Sequence, residues 1–308
     1  CEICTAAKSR QDKSTKRSTD SIVLQMDYNF VNTGNADQCT MLTVTDVQSA
    51  YALVIVTPQK GTTNYAEAEL RRFLYEVGRT HGVLQYDKEP SLKALAQKTV
   101  DSVGGLSCRA TPTEWKQAHG TVGATQRTFY GQLKAIRLAT EDNYKVKITT
   151  QHSIFPWITK HANWLLNRYH EHSDGHTSYY RRWERNYNST ICNFAETILY
   201  RLSGRDRHKA TTTWHKGLWL GRDTESDEHL IGTTTGIAKT RSLRRLPPSE
   251  QFDLELFNNF KGTPWDPKAT GDETGELLPT PQMITLPEPT TATSTDDSLQ
   301  GGDSSSPS

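Results

Sequence analysis

Two acidic residues, each at the end of a short apolar run, constrain this chain more than any other feature. Asp27 follows Ile22-Val23-Leu24-Gln25-Met26, and Asp87 follows Val83-Leu84-Gln85-Tyr86. Both runs are short, rich in β-branched or aromatic residues and bounded by turn formers, as strands are. Thirty-five residues separate Asp87 from Gly123, which lies in His119-Gly120-Thr121-Val122-Gly123-Ala124-Thr125-Gln126-Arg127, at the start of a helical pattern. The spacing predicts two strand-borne carboxylates gathered at one end of a sheet, beside a helix.

The surrounding pattern fits an α/β layout. Residues 22–60 read as a meander of strands over Ile22–Met26, Thr40–Asp46 and Ala50–Thr57. Residues 64–80 form an amphipathic helix, with Ala66, Leu70, Phe73, Leu74 and Val77 on one face. Val83–Tyr86 is a further strand, and Ser91–Val103 a further helix. The polar stretch Gly104–Gly120 reads as a mobile connection. Thr125–Ala139 is helical, with Phe129, Leu133, Ile136 and Leu138 forming an apolar stripe and Arg127, Lys134 and Arg137 off it. Pro156–Tyr169 is another helix, its proline suited to a first turn. Beyond residue 190 the pattern changes to short strands at Thr197–Leu202, Trp214–Gly221, Glu228–Thr233 and Gly236–Ser242, the rhythm of a small β domain. Asp46, before Val47-Gln48-Ser49, reads as a turn former.

Charge is unevenly placed along the 308 residues, although the total is only +1. Residues 271–308 hold seven acids and no Lys or Arg, which leaves residues 1–270 at +8. Residues 124–245 alone carry twenty basic against eleven acidic side chains. A basic body suits a polyanion partner, and the alternative is a solvated surface. The acidic tail, rich in Ser, Thr, Pro and Gly, is expected to be disordered. It is also the sole basis for a scaffold role. Five irregularly spaced cysteines make no disulfide framework, which points to a reducing, intracellular setting. The longest apolar run, Ala50 to Val56, is far short of the roughly 20 residues of a membrane span. Cys1-Glu2-Ile3-Cys4 is a Cys-x-x-Cys pair able to supply two zinc thiolates, with no third or fourth ligand nearby. His161, His170, His172 and His176 match no zinc spacing.

The two aspartates, their spacing and the His119–Ala124 motif resemble the catalytic core of retroelement integrases, of the copia-like retrotransposon kind. The likeness continues through Phe155-Pro156-Trp157, Asn163–Arg168 and Trp214–Gly221, and covers roughly residues 1–267. It implies four segments: a remnant of an N-terminal zinc domain over 1–20, a ribonuclease H-like core over 21–190, an SH3-like barrel over 191–250 and a disordered tail over 251–308. Cys1 and Cys4 would then be the last two zinc ligands of that first domain. The chemistry implied is metal-dependent phosphoryl transfer on double-stranded DNA, with Mg²⁺ or Mn²⁺ ions about 3.5–4 Å apart. Asp27 would bridge both ions and Asp87 would hold one. The family's third carboxylate falls at Gly123, so catalysis is expected to be lost or weak. Glu114, nine residues earlier, is the nearest substitute, and Glu89 is placed to help the first ion. DNA contacts are expected from Arg127, Lys134, Arg137, Lys209, Lys216, Arg241, Arg244 and Arg245. The resemblance also implies a homo-oligomer acting in the nucleus and a polyprotein origin. The rival reading is a DNA-binding module without chemistry.

Overall fold

A computed structural model describes residues 21–34, 38–111, 120–201 and 212–270. Its first half is a five-stranded mixed sheet in the order β3-β2-β1-β4-β5. These strands are β1 (Val23–Asn32), β2 (Gln38–Asp46), β3 (Ala52–Thr57), β4 (Gly82–Tyr86) and β5 (Leu106–Ala110). β1 to β3 form an antiparallel meander, while β4 runs parallel to β1 and β5 parallel to β4. Four of these strands were legible. The fifth falls inside the stretch expected to be a mobile connection, because Leu106-Ser107-Cys108-Arg109-Ala110 has only one fully buried side chain to betray it.

Alternation along the strands divides the sheet between two cores. Leu24, Met26, Leu42, Leu53 and Ile55 face helices α1 (Asn64–Glu76) and α2 (Pro90–Val103), against Leu70, Phe73, Leu92 and Leu95. Met41, Val54 and Val56 face the opposite way, towards α3 (Gly120–Tyr144) and α4 (Phe155–Tyr169). β3 is buried along its whole length because both layers cover it. Thr63 caps α1 by accepting the Ala66 amide at 3.1 Å. Gly104, in the left-handed region at φ 81°, ends α2. A short helix, α5 (Ser178–Trp183), follows α4.

The second sheet is antiparallel, in the order β10-β6-β7-β8-β9. It comprises β6 (Thr197–Arg201), β7 (Trp214–Arg222), β8 (His229–Thr233), β9 (Gly236–Thr240) and β10 (Leu243–Arg245). Its edge strands β9 and β10 are consecutive in the chain. Edges of a flat five-stranded sheet lie about 19 Å apart, yet Thr240 reaches Leu243 in three residue steps, which span at most about 11 Å. The sheet is therefore curled, and Thr240 Oγ1 donates to Arg201 O on β6 at 2.6 Å. Ile198, Tyr200, Trp219 and Ile231 fill its inside.

One boundary differs from expectation, and the two sheets are packed together. Leu218, Leu220 and Leu230 join Trp157, Ile158 and Ala162 of α4 in one apolar cluster, so the two sheets share a core. Residues 251–270, placed at the start of the tail, are ordered. They contain α6 (Leu254–Asn258), and Phe257, Phe260 and Trp265 are buried in that shared core. Aromatic side chains buried this thoroughly contribute too much apolar area to remain in solvent. Residues 1–20 and 271–308 lie outside the described residues. Among those described, no helix is long and apolar enough to cross a membrane.

Candidate acidic site and basic surface

The parallel pairing of β1 and β4 places the two aspartates. Its register runs Val23 with Val83, Leu24 with Leu84, Gln25 with Gln85 and Met26 with Tyr86. Asp27 and Asp87 are the next residues on each strand, and neighbouring strands lie about 4.8 Å apart. By alternation both follow the face of Gln25 and Gln85. That is the α3 face, because Gln25 Oε1 accepts the Val122 amide of α3 at 3.2 Å. Asp27 does not close its strand as expected: the alternation continues through Tyr28 and Asn29, and β1 extends to Asn32. Asp87 does lie at a strand end. It is exposed, its Oδ1 accepts the Lys88 amide at 2.7 Å, and its carbonyl accepts the Glu89 amide in the turn leading to α2.

Helix α3 lies along β1 and lines the site. Gln126 Nε2 donates to Asp27 Oδ2 at 3.2 Å, Thr125 meets Thr45 on β2, and Tyr130 OH accepts from Asn29 Nδ2 at 2.8 Å. Burial raises the Tyr130 hydroxyl pKa, the Asn29 hydrogen bond opposes that rise, and the Asp27 charge adds to it. Gly123 precedes Gln126 and Tyr130 by three and seven positions, so it shares their helical face. A Cβ at Gly123 would meet only Arg127 Nη1, at 3.9 Å. The position is open enough for a carboxylate and carries none. Glu89, the suggested helper, is engaged elsewhere: its Oε1 accepts from Lys60 Nζ at 2.5 Å and from Ser91 Oγ at 2.7 Å. Partial burial works against ionisation of Glu89, and the Lys60 and Ser91 contacts outweigh it, holding the carboxyl below its usual range. Glu114, Cys1 and Cys4 lie outside the described residues. No group of three His, Cys, Asp or Glu able to hold a metal occurs among the described residues. Asp27 and Asp87 alone do not fit a centre of two Mg²⁺ ions, each of which needs several oxygen ligands and precise geometry.

The expected DNA-contacting residues divide into free and committed ones. Arg127 and Lys134 are exposed on α3, and Lys216 is exposed on β7. Arg137 instead holds the buried Glu141, Nη1 to Oε1 at 2.6 Å. Arg245 clasps the fully buried Glu196 through two bonds of 2.6 and 2.7 Å. Each neutralises a carboxylate that would otherwise be stranded in the interior. Arg241 lies 3.2 Å from Glu228 with most of its side chain in solvent. The Arg244 guanidinium lies over the Trp214 ring, 5.5 Å from its centroid. Lys209 lies outside the described residues.

One participant escaped the sequence reading. Arg244, Leu199 and Lys216 are opposite one another across β10, β6 and β7, and Arg201 is opposite Trp214. Alternation puts all five on one face, where Arg201, Lys216 and Arg244 are exposed around the indole. The signal for Arg201 was its two-residue spacing from Leu199, which is readable only once the pairing partners are known.

No protein-family model matches the chain, and no curated protein matches it. Solved structures do resemble it. One is a chain of the simian T-cell lymphotropic virus intasome in complex with the PP2A regulatory subunit B56γ, at TM-score 0.47 and 14% identity, covering 80% of this chain and 88% of that one. Another is the HTLV-2 integrase catalytic core domain in complex with magnesium, at 0.40 and 15%, covering 52% and 95%. A third is the catalytic core domain of BIV integrase, at 0.38 and 16%, covering 53% and 95%. Likeness at this level assigns no residue a role.

Proposed function

We propose that this chain is the core and C-terminal region of an integrase-like protein of a copia-like retroelement, retaining DNA binding while its phosphoryl-transfer centre is incomplete. The observation that carries the reading is the register of β1 with β4, which makes Asp27 and Asp87 consecutive to a paired row on adjacent parallel strands. The sheet order β3-β2-β1-β4-β5 supports the ribonuclease H-like assignment, and the curled second sheet supports the SH3-like one. Gly123, open and on the face of α3 that touches Asp27, supports loss of the third carboxylate.

Binding rests on exposed cations: Arg127 and Lys134 along α3, and Arg201, Lys216 and Arg244 around Trp214. Such side chains neutralise phosphates without reading bases. The partner is therefore double-stranded DNA, bound without strong sequence preference. The family resemblance adds a homo-oligomer, a nuclear site of action and a polyprotein source.

Two measurements test this. Duplex affinity should fall steeply as salt rises, with a log–log slope near −0.9 for each phosphate contacted. A salt-independent affinity overturns the binding reading. For the chemistry, a labelled duplex is incubated with Mg²⁺ or Mn²⁺. The protein should give no strand-transfer product, and the Gly123→Glu variant should give some. Equal product from both sinks the incomplete-centre reading.

A further inference from the structure

Among the described residues, nine buried side-chain nitrogen or oxygen atoms have no hydrogen-bond partner. Six of the nine belong to five residues lining one cavity: His161, Trp164, Arg168, Arg222 and Thr224. The cavity lies between β3, α1 and α4 on one side and the β7–β8 hairpin on the other. Its volume is about 30 Å³, enough for one or two particles the size of water. Native interiors leave few buried donors unmatched, so this concentration at one place points to a ligand.

The chemistry of the lining selects its type. Arg168 Nε and Nη1, Trp164 Nε1 and Arg222 Nε can only donate, and Arg168 and Trp164 are 5% and 2% exposed. Thr224 Oγ1 adds a donor by rotation. Both Glu69 oxygens are taken by Lys160 and Arg72, and Glu76 Oε1 accepts from Tyr51 OH at 2.8 Å and lies 3.7 Å from Arg168 Nη2, which leaves Arg168 Nε and Nη1 without a partner. A water accepts about two hydrogen bonds and must place its own two hydrogens, for which His161 Nδ1 is one candidate, whereas an anion can take more of these donors and has no hydrogens to place. The lining also holds four cations, Arg72, Lys160, Arg168 and Arg222, against the carboxylates of Glu69 and Glu76. Glu225, 4.0 Å from Arg72, and Asp227, 3.2 Å from Arg222 Nη1, balance the outer side of this set. Arg168 has Glu76 Oε1 3.7 Å from its Nη2, and its guanidinium is held against the rings of Trp164 and Tyr187 at 4.9 and 5.1 Å, so its Nε and Nη1 stay unpartnered.

We propose that this cavity is a binding site for a small inorganic anion of halide size, held by Arg168, Trp164, Arg222 and Thr224. Room for one or two water-sized particles matches a single halide ion. The anion bridges α4 to the β7–β8 hairpin and so ties the two sheets together at their shared core. Neither Asp27 nor Asp87 lines this cavity.

The test uses the full chain, with sodium bromide replacing sodium gluconate at constant ionic strength. The unfolding temperature should rise by several degrees and saturate, as binding to a single site does. Thr224→Val and Trp164→Phe each remove one donor and keep most of the packing, and either should raise the half-saturating bromide concentration at least about tenfold. Crystals grown in bromide should show an anomalous peak bonded to Arg168 and Trp164. A non-saturating response that the variants leave unchanged, or a water without anomalous signal at that position, overturns the proposal.

Discussion

His229 accepts the indole N–H of Trp219 on Nδ1 at 3.0 Å inside the curled sheet, which requires a neutral ring. Burial, reinforced by Arg222, pushes its pKa down to about 4. Burial does the same to His152, to about 4, and to His161, to about 3. In the unfolded chain each imidazole takes up its proton near 6.5. The unfolded state therefore binds more protons between about pH 4 and 6.5, and stability falls as pH drops through that window. The loss is up to about 1.4 kcal/mol per pH unit for each ring. Thermal unfolding followed from pH 7 to 4.5 should show it, and His229→Gln, whose amide oxygen can still accept the indole N–H, should reduce the slope by one proton's share. An unchanged slope counts against the assignment. Aspartates illustrate how far single residues are legible. Asp46 is the turn former its neighbours suggested, with Oδ2 accepting from Ser49 Oγ at 2.5 Å and lying 3.0 Å from Arg79. Arg137 and Arg245 looked like Asp46's opposite, free surface charges, until Glu141 and Glu196 were found buried beside them.

Helix α3 is the element on which the acidic site depends, and it is longer at both ends than its apolar stripe suggested. Of the expected stripe, Phe129, Leu133 and Ile136 are buried while Leu138 is exposed, and the first turn, which contains Gly123, buries only Val122. It is held by the Gln25 side chain across the sheet rather than by its own periodicity. Gly131 is exposed in the middle of this helix, and a Cβ there would meet nothing within 4 Å. Gly131→Ala should therefore stabilise the protein by roughly 0.8–1 kcal/mol, by helix propensity alone. Calorimetry should register this as a rise of about 2 °C, with duplex affinity unaltered. A fall would mean that the helix is strained at this point. Strand β5 makes the converse case. It owes its existence to pairing with β4, where Leu84 meets Cys108 and Tyr86 meets Ala110, and not to its own composition.

At the scale of the whole molecule, the segments expected over 21–190 and 191–250 are joined by one shared apolar cluster that also takes in residues beyond 250. Tyr144 of α3 stacks on Phe257 at 4.1 Å and donates its hydroxyl to Ala195 O at 2.6 Å, and Trp157 Nε1 donates to Gly262 O at 3.0 Å. These contacts cross both expected boundaries. The chain should accordingly unfold in a single calorimetric transition. A chain cut after Glu250 loses Phe257, Phe260 and Trp265. Each is a large-residue deletion from a core, worth about 3–5 kcal/mol. Compared with a chain cut after Thr270, it should be destabilised by more than 10 °C or fail to fold. Two separate transitions, or equal stability of the two truncations, would contradict the shared core.

Local chemistry in the sequence was enough to determine four of the five strands of the first sheet, the helices that cover it, Asp87 at a strand end and the basic character of the middle of the chain. Periodicity, turn residues and charge all act within a few residues, so they can be read from neighbours alone. Only the tertiary structure decided which of the basic side chains are free, that Arg201 joins Trp214 and Arg244, that residues 251–270 belong to the core, and that unpaired donors gather around Arg168. Each of these depends on partners dozens of residues away, because burial and electrostatic pairing are properties of space and not of sequence separation.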